Sequence, residues 1–444
     1  MSFPRYPEYK DSGVAWLGKV PRHWEIDRLK RAATFGSGGT PSKDNPEYWN
    51  GTVPWASSKD LKSESIDDTI DHITDRAVAD GAATVEPGDL MVVVRGMILA
   101  HTFPVTKALV RMAINQDLKG IRPNSAWHVD YFADLLRASS PETFRRLDEA
   151  GHGTKALRMD AWLGMDLPRP PVSEQRVIAD FLKHETAKID ALAAEQQRLI
   201  ELLQENRQGV ISHAVTKGLN PTAPMKDSGI AWLGQIPAHW TVPRIAYVAT
   251  VENGTTPSRD DPSFWNEGSV PWLASGEVNQ YRIVAADEFI TASALAKCSL
   301  RILPVGSVVV GMIGQGKTRG LAARLEIPAC INQNLGGIVP DASINSEYLF
   351  YALQAAYEFL REMGRGGNQA ALNTEIISAL RLALPPVGEQ EAIAEHLNRR
   401  VSGMEQLMSE AARASTLLHD RRTALISAAV TGQIDVSTAA SAAA

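Results

Sequence analysis

Two stretches of this chain place apolar residues on alternating three- and four-residue steps. In the first, Ile178, Leu182, Ile189, Leu192, Leu199, Leu203 and Val210 share one stripe, with Glu185, Gln196 and Asn206 as polar exceptions. In the second, the stripe holds Ile393, Leu397, Met404, Leu407, Ala411, Ala414, Leu418 and Leu425, interrupted by Arg400 and Arg421. A 3.5-residue repeat sustained over about four heptads predicts a coiled-coil seam. Pro170-Pro171 and Pro385-Pro386 stop whatever precedes, and the SEQ or GEQ that follows opens a helix. At 1.5 Å per residue the helix from Glu174 to Lys217 is a rod of roughly 65 Å, too long to lie on one small domain. Two such rods most simply bury their seams against each other.

Ahead of each rod the pattern changes. Short apolar runs such as LMVVV (90–94) and its counterpart at 308–310 predict buried strands, with Gly- and Pro-containing turns between them. YFADLLRAS (131–139) and YLFYALQAA (348–356) predict short helices.

The whole plan occurs twice. KDSGVAWLGKVPRHW (10–24) returns as KDSGIAWLGQIPAHW (226–240), and GGTPSKDNPEYWNGTVPW (38–55) as TTPSRDDPSFWNEGSVPW (255–272). INQDLKGIRP (114–123) returns as INQNLGGIVP (331–340), PPVSEQ (170–175) as PPVGEQ (385–390), and ISHAVTKGL (211–219) as ISAAVTGQI (426–434). A period this long is a duplicated domain with its connector, not a solenoid. The divisions follow: a first domain over 1–172, a central helix over 173–218, a second domain over 219–387, a C-terminal helix over 388–432 and a disordered tail over 433–444. The predicted class is α+β, with two mixed α/β domains joined by two long helices in an antiparallel intramolecular coiled coil of pseudo-two-fold symmetry. Trp16, Trp24, Trp232 and Trp240 recur inside the repeated phrase, as packing anchors would.

Composition adds exclusions. A hydrophobic fraction of 44% with 22% charged residues is that of a globular protein, and no apolar run reaches the roughly 18 residues of a membrane span, so a cytoplasmic protein is expected. Cys298 and Cys330 belong to no CxxC or Cys/His cluster, so neither a zinc site nor a disulfide framework is expected. The formal net charge of −6 speaks weakly against nucleic acid, since a large protein need be basic only locally. GMIGQGKT (311–318) satisfies the phosphate-loop pattern after a strand, which keeps a nucleotide-dependent enzyme open as an alternative. That reading needs a helix starting at Lys317, and Gly320 and Pro328 leave little room for one. The aligned VRGMILAHTFP of the first copy lacks the pattern. No GxSxG elbow and no strand-borne GxGxxG occurs, so no catalytic residue and no metal or cofactor site is expected in this chain.

What differs between the copies is the loops. HTFPVTKALVR (101–111) faces GQGKTRGLAAR (314–324), and HGTKALRMD (152–160) faces GGNQAALNT (366–374). A shared scaffold with different loops suits two binding modules tuned to different targets. Lys, Arg, Asn, Gln and Thr supply phosphate contacts and bonds to base edges. Duplex DNA presents equivalent surfaces about local two-fold axes, which a pseudo-two-fold chain could meet, reading two unlike words at a fixed gap. A scaffold that joins proteins without touching DNA is the remaining alternative.

The order and duplication of these phrases resemble the specificity subunit of type I restriction–modification systems. The carriers are KDSGVAWLGKVPRHW and KDSGIAWLGQIPAHW, GGTPS and TTPS, INQDL and INQNL, and PPVSEQRVIADFL with PPVGEQEAIAEHL. The resemblance implies a non-catalytic subunit with two target-recognition domains. Its partners would be double-stranded DNA, two methyltransferase subunits that use S-adenosylmethionine, and restriction subunits that use ATP and Mg, with no membrane. It implies that the helices space the domains and, with the Trp phrase, dock the methyltransferases. It places DNA contacts in the recognition loops, here at Ser37, Thr40, Ser42, Lys155 and Arg158 in the first copy. In the second they fall at Thr255, Ser258, Lys317, Arg319, Asn368 and Gln369.

Overall fold

The computed structural model describes residues 3–149, 153–314, 316–364 and 371–437. The chain forms two compact units, Met1–Gln196 with Arg413–Ala444, and Gln197–Ala412. Each unit therefore contains the beginning of one long helix and the end of the other, since these helices run Val172–Lys217 and Val387–Val430.

In the first unit a five-stranded sheet has the order Ala33–Ser37, Leu118–Pro123, Leu90–Val93, Val105–Ala108, Ser65–Ile66. Its pairs are antiparallel except the last, which is parallel. Leu90–Val93 is apolar at every position because both faces of that central strand are buried. A second sheet joins Asp71–Ile73, Trp49–Ala56, Met112–Ile114 and Thr84–Val85. In the second unit the main sheet repeats the order: Ala249–Asn253, Leu335–Pro340, Val308–Gly311, Ala322–Leu325, Arg282–Ile283, again with a parallel last pair. The smaller sheet keeps Glu288–Ile290, Val270–Leu273 and Cys330–Ile331, while an isolated bridge between Leu303 and Ala329 stands where the first unit has a fourth strand. The predicted short helices are Val129–Ala138 and Ser346–Ala355. Both units are mixed α/β, as the duplicated pattern predicts.

The repeated phrase has a mechanical role. Lys10–Asp11 and Lys226–Asp227 lie in two-stranded hairpins that close on Pro21 and Pro237 and deliver the His-Trp pair that follows. Trp24 is fully buried, and its Nε1 donates to Glu174 Oε1 at 3.0 Å, while His23 Nε2 lies 2.8 Å from Glu174 Oε2. In the second unit Trp240 Nε1 donates to Glu389 Oε2 at 2.9 Å and His239 Nε2 lies 2.7 Å from Oε1. Both glutamates sit in the first turn of a long helix, where the helix dipole favours an anion. The neighbouring glutamines are buried staples. Gln175 accepts from His128 N and donates to Ala126 O and Pro170 O, and Gln390 accepts from Asn345 N and donates to Ser343 O and Pro385 O.

The same tryptophans receive the other helix's end. A Cβ on Gly432 would lie 3.0 Å from Trp24 Cη2, and one on Gly218 would lie 3.1 Å from Trp240 Cζ2; both glycines have φ near +75°. Tyr131 Oη donates to Val430 O at 3.0 Å, and Tyr348 Oη contacts Ala383 O at 2.6 Å and Val215 O at 3.2 Å. Within each unit the two helix segments are thus antiparallel. Ion pairs extend the contact: Arg422 Nε to Asp190 at 2.9 Å in one unit, Arg207 Nε to Glu405 at 3.4 Å in the other. Arg422 also pairs with Glu64, and Arg137 bonds Asp134 at 2.8 Å.

Two features differ from the sequence reading. Ile178, Leu182, Ile189, Ile393, Leu397, Met404 and Leu425 are buried, and Leu203 and Leu418 half-buried. Leu192, Leu199 and Leu407, however, are 53%, 41% and 50% exposed. Ala193, Ile200 and Met408 are the more enclosed neighbours, as are buried Val401 and Arg207 beside Arg400 and Asn206. A straight helix of 3.6 residues per turn drifts off a strict 3.5-residue repeat, so the buried stripe shifts by one position. Residues 433–437 are also not loose: Val436 is buried and Asp435 N donates to Pro4 O at 2.8 Å, because Ile434 and Val436 cover the core around Trp24. Residues 438–444 lie outside the described residues.

Replacing Glu174 with Ala strands a buried indole donor and should cost about 1–3 kcal/mol in urea unfolding, whereas Glu174→Gln, which keeps an acceptor, should cost less. Burial lifts the Asp134 carboxyl to about 6 against the opposing pull of Arg137. A carboxyl raised above its unfolded value stabilises when protonated, so this contribution is present at low pH and lost as pH rises through about 6. Asp134→Asn should therefore be the more stable protein at pH 8, by about 1–2 kcal/mol, with the gap shrinking toward pH 4 in parallel urea titrations.

Candidate nucleic-acid interface

Each main sheet has one end where the divergent loops converge. In the first unit Ser37 and Val93 finish strands there and Leu118 begins one; in the second the corresponding positions are Asn253, Gly311 and Leu335. The Thr-Pro-Ser loop leaves this end and folds over the smaller sheet. Trp49 Nε1 donates to Ser42 O at 3.0 Å and Trp55 Nε1 to Gly39 O at 3.3 Å. In the second unit Trp265 Nε1 reaches Ser258 O at 2.9 Å and Trp272 Nε1 reaches Thr255 O at 3.0 Å. The two indoles are edge-to-face in both units, with centroids 5.2 Å apart. Thr40 donates to Gln116 Oε1 and Thr256 to Gln333 Oε1. The structural counterpart of Thr40 is thus Thr256, and Thr255 matches Gly39.

The INQ phrase is the other side of that contact. Asn115 and Asn332 are buried, and each side-chain oxygen accepts from the backbone amide two residues on, at 3.1 and 3.0 Å. Their carbonyl region presses on the loop so closely that Gly38 and Gly254 admit no side chain: a Cβ would stand 1.8 Å from Asn115 O and 2.0 Å from Ile331 O.

The unrepeated side chains crowd the same end. In the first unit Lys119 Nζ donates to Ser37 Oγ at 2.5 Å, and Arg95 Nε to Asp117 at 3.0 Å. Lys155, on a strand paired with Arg95–Gly96, bonds Glu149 at 2.6 Å and holds that carboxyl below its usual range. Arg158 Nη2 donates to Arg145 O at 3.1 Å and its Nε lies 3.5 Å from Asp148. The structure therefore brings Ser37, Thr40, Ser42 and Lys155 to one sheet end with Arg158 close in sequence to it.

In the second unit Lys317 is exposed on the loop between Val308–Gly311 and Ala322–Leu325. Tyr357 Oη donates to Lys317 O at 2.9 Å, and Arg361 Nη1 contacts Gly316 O at 2.7 Å and Arg319 O at 3.2 Å. Asn368 and Gln369 lie outside the described residues. The loop is closed by Gly320 N donating to Gly311 O at 2.8 Å and leads into an antiparallel strand. A phosphate loop must lead into a helix at Lys317, so the nucleotide-binding alternative fails on geometry. Lys119, Arg95, Gln116, Gln333 and Arg361 were missed by sequence reasoning. INQ read as strand frame, and nothing in the order of residues pairs Arg361 with a loop 45 positions away.

Because Gly38 faces backbone and not a yielding side chain, Gly38→Ala should displace the Thr-Pro-Ser loop and lower thermal stability by about 1–3 kcal/mol, with Gly36→Ala, which meets no atom within 4 Å, as the harmless control.

The sequence matches, over residues 21–202 and 237–408, the family described as Type I restriction modification DNA specificity domain. It is 29% identical over 204 residues to the specificity subunit of the type I restriction enzyme EcoR124I/EcoR124II of Escherichia coli, a match that spans 45% of this chain and only 50% of that protein. The MjaVIII specificity subunit of Methanocaldococcus jannaschii is 24% identical over 388 residues, 85% of this chain and 86% of that one. A solved chain from work on complex assembly and conformational transition of the type I R-M system superposes with a TM-score of 0.72 at 15% identity, covering 93% and 98% of the two chains, which speaks for the fold. With two copies of the matched domain spanning most of its length, this chain belongs to the type I restriction–modification DNA-specificity family.

Proposed function

We propose that this chain is the non-catalytic, sequence-reading subunit of a type I restriction–modification complex, and that each of its two units reads one half of a gapped, asymmetric duplex site. The observation that carries this reading is the loop rim: one sheet end, built twice on the same frame, bearing unlike polar side chains. Lys119, Arg95, Lys155, Arg158 and Ser37 in one unit face a different task from Lys317 and Arg319 in the other. Side chains of these types reach base edges and phosphates. Ser42, Thr40, Ser258 and Thr255 belong to the loop that presents them.

The long helices would set the gap. Within each unit the two helix segments are antiparallel and joined by an ion pair, Asp190 with Arg422 in one and Arg207 with Glu405 in the other, which supports their use as spacers. Leu192, Leu199 and Leu202 on one helix, and Leu407 and Leu417 on the other, are apolar side chains exposed on the rods. We assign them to docking of two methyltransferase subunits, with restriction subunits completing the nuclease. S-adenosylmethionine and ATP with Mg would be used by those partners, in the cytoplasm. Among the described residues no helix is long and apolar enough to cross a membrane.

Methylome sequencing of cells carrying this chain with its methyltransferase should reveal one bipartite adenine motif; two unrelated continuous motifs, or none, would sink the reading. Adding one heptad at matched positions of both helices keeps the seam in phase and lengthens each rod by about 10 Å. The motif's gap should then grow by about three base pairs with both words unchanged.

A further inference from the structure

The phosphodiester backbone is the same at every DNA site, whereas base edges differ. Two readers of unlike words should therefore share the groups that meet the backbone and differ in those that meet bases. The shared hydrogen-bond donors of the loop rim are few. Both pairs of indole N–H groups are spent on loop carbonyls, Trp49 and Trp55 in one unit and Trp265 and Trp272 in the other. The Thr40 and Thr256 hydroxyls are spent on Gln116 and Gln333. Apart from the cations Lys43 and Arg259, what remains among the shared side-chain donors is the Nε2 of those two glutamines. Both side chains are exposed, and among the described residues neither Nε2 has a protein partner. The Ser42 and Ser258 hydroxyls stand nearby in the same condition, exposed at the turn of each loop.

We infer that Gln116 and Gln333 are a matched pair of backbone-positioning contacts, each donating from Nε2 to a phosphate oxygen beside the word its unit reads, with Ser42 or Ser258 as a second donor. The assignment rests on the DNA reading given above. The threonine bond does two things here. It fixes the amide plane, and it polarises the nitrogen that faces outward. It also argues against base reading. A glutamine that reads adenine uses its oxygen and nitrogen together, and in both units a threonine already holds one of the oxygen's two lone pairs and with it the orientation of the amide. A neutral donor suits a chain with a net charge of −6, because it anchors the backbone without adding positive charge. It also releases no counterion, so its contribution should not depend on salt.

The test uses the full chain assembled with its methyltransferase subunits, titrated with a duplex carrying the methylated motif and with an unrelated duplex. Gln116→Ala and Gln333→Ala should each weaken binding about three- to ten-fold on both duplexes, the size of one lost hydrogen bond. The methylated motif and the slope of log affinity against log salt should not change. Gln116→Glu can still accept from Thr40 but sets a carboxylate against the phosphate, so it should bind more weakly than Gln116→Ala at low salt with an unchanged melting temperature. Wild-type affinity in all three variants overturns the assignment. So does a changed base preference in one half of the motif. If the unaltered complex binds no duplex at all, it is the preceding reading that falls.

Discussion

A buried indole N–H needs an acceptor, and in this chain the acceptor lies about 150 residues downstream, on the first turn of a long helix. Trp24 holds Glu174 and Trp240 holds Glu389, each with a histidine on the carboxylate's second oxygen. On the other side of each ring the opposite helix ends in a left-handed glycine, Gly432 or Gly218, that no larger residue could replace without moving the ring or its neighbours. One tryptophan thus ties the start of one rod to the end of the other. A globule built this way cannot be completed by either half of the chain alone, since unit boundaries fall in the middle of both helices. The antiparallel direction of the helix pair in each unit is a consequence of that junction, and the seam residues then refine it.

The duplication and the stripes were legible because they are written in local order. A repeat is visible whatever the fold, and a 3.5-residue apolar pattern follows from helix geometry. The strand runs at 90–94 and 308–310 were legible for the same reason, since continuous apolarity marks a strand buried on both faces. What could not be read was the use of polar residues in shared phrases. The Glu-Gln of PPVSEQ looks like a helix start, and it is one, but Glu174 is also the acceptor for Trp24 and Gln175 a staple for the turn at His128. The seam slipped at Leu192, Leu199 and Leu407 because which side of a rod is buried depends on what packs against it. Ile434 and Val436 were missed because a small-residue tail hides two core contacts.

The loop rim shows the same division. Thr-Pro-Ser and Ile-Asn-Gln appeared as separate repeated phrases, and the structure makes them one contact, with Gly38 against Asn115 and Thr40 on Gln116. Repetition identified the frame. It could not say which atoms of the frame were consumed by it and which were left facing outward.

On the function proposed above, charge pairing lets a chain of net charge −6 carry cations at the loop rim. Lys155 bonds Glu149, Arg95 bonds Asp117 and Arg158 lies beside Asp148, so three cations of the first rim have a carboxylate at hand, while Lys119 bonds the Ser37 hydroxyl. These are exposed pairs, worth little to stability, since solvent screens them and ordering long side chains costs entropy. On the proposed function their weakness would permit exchange: a phosphate or a base edge could replace the carboxylate at small cost, while the carboxylate left behind would disfavour any DNA that does not supply a better partner. Pairing of this kind trades affinity for discrimination. On the proposed function it would leave non-specific attraction low and make the outcome depend on fit at the rim, the property a reader of two short words requires.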